Sequence, residues 1–320
     1  MSGRLPALLH KAQPFLPWLS LGTGLAGALI MNRSPERAFL VVIAAGLAWA
    51  LLVGLHLWER ALQARTPSAR DKGARFALLL TSQLAVQQAL LFPLPFYVHA
   101  ATWHPGHVLF LVAYAVALVS ALWDPLFAAV VKRASTSFLL FSFSIFAGLA
   151  VVLPMLGLAN RTALIVAGAA TTVGVPALLW LRATSRWLKV GALSAAAVAA
   201  GFALLVAPLV PPAPLELVRA AIGTGVVDRE LVGASEPLTA PVELVCHTAI
   251  KAPLGLKDAL NHVWEKDGGA LDRIALDVRG GREQGFRTWS KKRAATAGEY
   301  RCTVQTASGQ VLGSTRVRVH

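Results

Sequence analysis

Seven long apolar stretches fill the first two-thirds of this 320-residue chain and share a single formal charge, Asp124. They run Phe15 to Met31, Ala38 to Trp58, Phe76 to Ala101, His107 to Val131, Phe138 to Ala159, Thr162 to Leu181 and Val190 to Val210. A helix needs roughly 20 apolar residues to cross about 30 Å of hydrocarbon. Inside lipid its peptide groups must be satisfied within the segment, which a helix does. The pattern predicts an α-helical integral membrane bundle of about seven spans over residues 1–210. Charged residues make up 14% of the chain, against about 25% in ordinary soluble proteins, which excludes a single soluble domain. The first stretch is short and holds Gly22, Gly24 and Gly27. Six more spans and the lack of a small-x-small cleavage site after it point to an uncleaved anchor.

The charge is distributed as membrane loops require. Residues 1–210 hold fifteen Lys and Arg against four Asp and Glu, and residues 211–320 hold fifteen against twelve, giving +11 and +3 of the total +14. The basic excess sits between apolar runs, so the chain's positive charge does not indicate a nucleic-acid groove. Alternate loops carry twelve Lys and Arg on one side (Arg4, Lys11, Arg60, Arg65, Arg70, Lys72, Arg75, Lys132, Arg133, Arg182, Arg186, Lys189) and three on the other (Arg33, Arg37, Arg161). The positive-inside rule then places the amino terminus in the cytoplasm and, after seven spans, the carboxyl-terminal region outside the plasma membrane, in the periplasmic or extracytoplasmic space.

Pro211-Pro212-Ala213-Pro214 opens a stiff linker over 211–216, which ends the helical region. Residues 217–320 read as about seven short strands: Val226–Val232, Val242–Ile250, Leu260–Lys266, Ile274–Val278, Gly285–Lys291, Glu299–Val304 and Val311–Val319. Turn signals separate several of them, among them Asp267-Gly268-Gly269, Gly280-Gly281 and Ser308-Gly309. Ile274, Leu276 and Val278 alternate with polar neighbours, as do Tyr300, Cys302 and Val304, which predicts half-buried antiparallel sheet. Both cysteines fall here, with Trp264 between Cys246 and Cys302 and Tyr300 two residues before the second. That order resembles the immunoglobulin pattern of inter-sheet disulfide, core Trp and tyrosine corner, and so implies an immunoglobulin-like β-sandwich. A Cys246–Cys302 disulfide would suit an oxidising compartment, with two buried free thiols as the alternative.

Four constellations are candidates for chemistry. Asp124 stands in a span, where a carboxylate marks a pathway or pairs with a polar partner; followed by Pro125, it also reads as the N-cap of a helix restarting after Trp123. Gln83 and Gln87 lie one turn apart, as amides that join neighbouring helices do. His99, His104 and His107 flank a short loop and are weak metal-ligand candidates, with no Cys, Asp or Glu beside them to fill a ligand set. Arg287, Trp289, Lys291, Lys292 and Arg293 form a basic cluster with one aromatic, suited to anionic lipid, an acidic envelope polymer or another envelope protein. Glu265 and Asp267 sit at a hairpin end, where carboxylates are ordinarily solvated. No phosphate loop, nucleophile elbow, metalloprotease motif or Cys-x-x-Cys pair is present, so no catalytic residue and no cofactor is assigned.

The residues His262-Val263-Trp264, Arg287-Thr288-Trp289-Ser290-Lys291, Gly298-Glu299-Tyr300 and Gly309-Gln310-Val311-Leu312 resemble, in order, the bacterial domain-of-unknown-function family 2914 over roughly 217–320. The helical half, with Leu94-Pro95-Phe96-Tyr97 and Trp123-Asp124-Pro125, is similar to the multi-pass segment that precedes this domain in a subset of those proteins. The resemblance implies an envelope protein with a small β-domain and brings no activity or site residues. The expectation is a membrane protein that displays an exported binding or scaffolding module. The alternative is a small transporter or membrane-embedded enzyme that uses Asp124 and carries the β-domain as an accessory.

Overall fold

The computed structural model describes residues 69–180 and 201–320 apart from 235–237, 254–255 and 282–283, with five single helical residues between 22 and 198. Those single positions aside, the expected spans Phe15–Met31 and Ala38–Trp58, and residues 190–200 of the last span, lie outside the described residues, as do most of the loop cations that set the orientation.

Among the described residues, six helices with both ends placed precede the sheets: α1 (Ala69–Leu91), α2 (Leu94–Ala100), α3 (Pro105–Leu122), α4 (Asp124–Lys132), α5 (Ala134–Met155) and α6 (Asn160–Trp180). Among the described residues three helical stretches are long and apolar enough to cross a membrane: Gly73–Ala100, Pro105–Leu122 and Ser135–Met155. The third expected span is interrupted by a turn at Phe92-Pro93, where the proline cannot donate to the helix. The fourth is not one helix to Val131. It breaks at Trp123, whose extended backbone (ψ 105°) separates α3 from α4. Trp123, not Asp124, occupies the N-cap position of α4, and it makes no side-chain cap bond. Asp124 is the first helical residue, and its carboxylate is engaged by a side chain of α1.

The chain divides into two compact units. The first takes its described residues from Met1–Pro95, Val112–Val152 and Leu164–Ala203; the second comprises Phe96–Leu111, Leu153–Ala163 and Leu204–His320. In the first, the Tyr114 hydroxyl donates to the Leu90 carbonyl, and Gly148 lets α5 approach the backbone of α1 at Ala89.

The second unit is rich in antiparallel sheet. Its strands are β1 (Glu216–Gly223), β2 (Gly225–Val227), β3 (Glu230–Val232), β4 (Val242–Lys251), β5 (Lys257–Lys266), β6 (Gly269–Arg279), β7 (Phe286–Ala295), β8 (Gly298–Thr306) and β9 (Val311–Val319). They form a three-stranded sheet in the order β1-β4-β7, a four-stranded sheet β6-β5-β8-β9 and a separate hairpin β2-β3. Two differences from the sequence reading have physical causes. The segment 226–232 is a hairpin rather than one strand, turned by Asp228 and Arg229 at φ 49° and 65°; this positive-φ pair gives the two-residue turn that matches strand twist. β1 is an addition to the expected strands, because Leu217-Val218-Arg219-Ala220-Ala221 has helix-forming composition; pairing along β4 from Glu216↔Lys251 to Gly223↔Val245 overrides it.

Core clusters draw on both larger sheets. One gathers Ile222, Leu244 and Cys246 with Trp264, Tyr300, Cys302 and Val317. The other gathers Leu215 and Ile250 with Leu260, Val278, Val304 and Leu312. Leu215 is fully buried, so the end of the proline-rich linker is part of the core.

Candidate functional site

The polar residues of the helical unit meet at the break between α3 and α4. α3 ends where Trp123 turns extended, so the Ala121 carbonyl in its last turn has no helical donor, and Pro125 four residues on has no N–H to offer it. Two side chains of α1 supply donors instead: Gln83 Nε2 at 3.0 Å and Gln87 Nε2 at 2.8 Å from that oxygen. Gln83 Nε2 also donates to Asp124 Oδ1 at 2.8 Å. The structure therefore brings Gln83, Gln87 and Asp124 together. Neighbouring side chains satisfy backbone that the helix break leaves without a partner, as burial of that carbonyl requires. Gln87 Oε1 is buried and has no hydrogen-bond partner.

The three histidines do not share a point. His99 Nε2 lies 3.0 Å from Glu216 Oε1. His104 Nδ1 accepts the Gly106 N–H (3.2 Å), and His107 Nδ1 accepts the Thr102 N–H (3.0 Å). A neutral imidazole that accepts at Nδ1 carries its proton on Nε2, which makes that nitrogen a donor. This hydrogen bonding gives His104 and His107 the wrong tautomer for ligating a metal through Nε2.

Between the two larger sheets, Cys246 of β4 and Cys302 of β8 are joined as a disulfide, with Cα atoms 6.4 Å apart. Beside it runs a buried polar chain. Trp264 Nε1 donates to Ser290 Oγ (2.9 Å), Ser290 Oγ lies 2.8 Å from His262 Nδ1, His262 Nε2 lies 3.0 Å from Thr248 Oγ1, and Thr248 Oγ1 donates to the Thr288 carbonyl (3.4 Å). One assignment satisfies every group, with neutral His262 accepting the Ser290 proton at Nδ1 and donating from Nε2. Burial, reinforced by His247, pushes the His262 imidazole down to about 4. Cys246, His262 and Cys302 place their ligand atoms within 4.8 Å of one another. Both sulfurs are consumed in the bond and both ring nitrogens are engaged, so this is a core and not a metal centre. Its Ser and His suggest nucleophilic chemistry by type alone; all of it is shut away from solvent.

The basic cluster of β7 is neutralised across strands. Arg287 meets Glu230 at 2.7 Å, Lys291 meets Glu243 at 2.8 Å and Lys292 meets Asp272 at 2.5 Å. Lys291 and Lys292 hold Glu243 and Asp272 below the usual carboxylate range, each chiefly by donating a hydrogen bond. Trp289 stacks on His247 with ring centroids 6.3 Å apart. Arg293 is exposed and adds to the field at Glu243. The five residues are adjacent, and three of their cations are paired with carboxylates at the surface.

Sequence reasoning missed a second buried network. Asp258 Oδ2 accepts the backbone N–H of Asn160 (3.1 Å) at the start of α6. Asn160 Nδ2 donates to Gln310 Oε1, and Gln310 Nε2 donates to the Val210 carbonyl (3.0 Å). Burial raises the Asp258 carboxyl, partly offset by the N–H groups of Asn160 and Ala259. Its members lie up to 150 residues apart, and the only local signal was the lone Asn160 ahead of an apolar run.

The chain matches a family of unknown function (DUF5924) over residues 2–240, three-quarters of its length. It belongs to that family. Residues 257–319 match a second description, protein of unknown function (DUF2914), covering β5 to β9. The family match passes the proline-rich linker and takes in β1, β2 and β3, while β4 lies between the two matched ranges. No curated protein matches the chain. Neither family carries an established activity.

Proposed function

We propose that this is a multi-pass envelope protein of about seven spans, amino terminus in the cytoplasm, displaying residues 217–320 outside the membrane as an immunoglobulin-like module that binds or scaffolds an envelope component. The observation that carries the reading is the Cys246–Cys302 bond. Disulfides persist in oxidising compartments, and the loop-charge count sends this region to one. The strand order β1-β4-β7 against β6-β5-β8-β9, the inter-sheet disulfide and the buried Trp264 between its cysteines support the immunoglobulin-like description.

Membrane placement is supported by α3. Its Val108, Leu109, Val112, Val116 and Val119 are exposed at helical spacing, an apolar face that water would penalise. Trp103 and Trp123, 97% and 61% exposed, bracket its ends, and 18 residues at about 1.5 Å each span roughly 27 Å. Aromatic anchors at both ends of such a length suit the two interfaces of a bilayer. A binding or scaffolding role is supported by the interior of the β unit, whose polar groups are turned to holding the sheets together. The node at Asp124 repairs a proline break, so it does not by itself call for a transported substrate.

Alkaline phosphatase fused after His320 should be active and green fluorescent protein in its place dark. A bright fluorescent fusion with inactive phosphatase would overturn the topology and with it the display function.

A further inference from the structure

The exposed face of the four-stranded sheet differs from the β7 cluster. Cys302, Val304, Val317 and Val319 point into the core, so by strand alternation Arg301, Arg316 and Arg318 point outward. Arg301 and Arg316 are direct cross-strand partners, a like-charge juxtaposition that destabilises a sheet. Their acidic neighbours relieve it only in part, through long ion pairs. Arg301 lies 3.9 Å from Glu265, while Arg316 and Arg318 share Glu299 at 3.9 and 3.7 Å. Those distances exceed the roughly 2.7–2.9 Å of a charge-assisted hydrogen bond, and all three guanidinium groups are at least half exposed. Three cations thus share two distant carboxylates.

The chemistry of an occupant follows. Among the described residues, β5, β8 and β9 expose no large apolar side chain, and Leu271, the one on β6, lies on the edge strand away from β9, so the part of the face that holds the three arginines lacks the apolar core of a protein interface. Arg316 and Arg318 lie two residues apart on one strand, about 6.7 Å, and Arg301 stands beside Arg316 at about 5 Å. Arginines anchored at that spacing suit phosphate groups repeated along one chain, each guanidinium fork able to take a phosphate in bidentate fashion. The rows also stand away from the segment holding Asn160. β9 starts next to Gln310, which binds Asn160, and Arg316 is six residues further on, about 20 Å.

We propose that this face docks a phosphate-bearing polyanionic chain through Arg301, Arg316 and Arg318. The proposal rests on the reading of this region as a binding module and names its ligand class. The test uses the full-length protein in detergent and labelled inorganic polyphosphate, with binding read by fluorescence anisotropy at several salt concentrations. The triple variant R301Q/R316Q/R318Q should bind at least about tenfold more weakly and flatten the log–log salt slope by about 2, the loss expected for three phosphate contacts on a single strand. R287Q/K291Q/K292Q removes the same charge from β7 and should change affinity less than about threefold, since those cations are already paired. R316Q alone, if the triple variant melts early, should still weaken binding severalfold. No binding at roughly 50 mM salt, equal losses in the two triple variants, or equal affinity for polyglutamate or anionic phospholipid vesicles would each overturn the proposal. The reporter fusions fail independently of this assay, so an error in topology and an error in ligand class are distinguishable.

Discussion

Removing both amides at the α3–α4 break should destabilise the helical unit far more when Pro125 is present than when it is not. In Q83L/Q87L the Ala121 carbonyl loses donors at 3.0 and 2.8 Å, and Asp124 loses its 2.8 Å contact. Interhelical hydrogen bonds in membranes average about 0.6 kcal/mol, so three give about 2 kcal/mol. Leaving a buried carbonyl unsatisfied adds about 1–3 kcal/mol, for a total near 3–5 kcal/mol. Gln87→Leu alone should cost only about 1 kcal/mol, because Gln83 still serves the same oxygen. Pro125→Ala returns an N–H to position 125, which reaches the Ala121 carbonyl once Trp123, now extended, turns helical and α3 runs on into α4. In that background the double variant should recover about 1–3 kcal/mol, the part due to the orphaned carbonyl. The measurement is a double-mutant cycle by SDS titration in mixed micelles, read by tryptophan fluorescence. Additivity within about 0.5 kcal/mol would show that the glutamines do not serve the proline break. Unchanged stability with a lost cellular phenotype would refute the repair role and favour a polar pathway.

Three further outcomes follow from the β unit. Ser290→Ala orphans both Trp264 Nε1 and His262 Nδ1 and should cost about 2–4 kcal/mol by chemical denaturation, whereas Ser290→Thr should cost less. The folded state holds His262 at about 4 from an ordinary 6.5. The unfolded chain therefore takes up the proton first as pH falls, and stability should drop by about 3 kcal/mol between pH 6.5 and 4; His262→Gln should flatten that window in a pH series of melts, and an unchanged slope would refute the assignment. Cys246→Ala/Cys302→Ala should lower stability by about 4 kcal/mol by loop entropy, measured against wild type with and without reductant, and reductant should leave the variant unaffected.

Periodic burial was legible in the sequence, and partnership was not. Apolar length located α3, α5 and α6, and alternation located β6, β8 and β9, because each signal is local. Asp124-Pro125 announced a restart, but the sequence could not reveal that α1 would fill the carbonyl the proline freed. The turn at Asp228-Arg229 was missed because arginine at positive φ is uncommon and Asp228, a turn former, is there without the glycine that usually follows it. The basic run of β7 read as a patch because its cations are adjacent in the chain; Glu230, Glu243 and Asp272 arrive from three other strands. Arg301 and Arg316 became a pair only through register. Asn160, Asp258 and Gln310 illustrate the same limit over a longer reach.

Leu215 in the core and Gln310 bound to Val210 have a mechanical consequence for the second unit. A segment that reads as a tether offers no slack, since Leu215 near its end is packed and Val210 just ahead of it is clamped by the turn between β8 and β9. Tension applied to the far rows of β9 therefore travels along the strand into Gln310 and on to Asn160, instead of being absorbed by a swivel at the prolines.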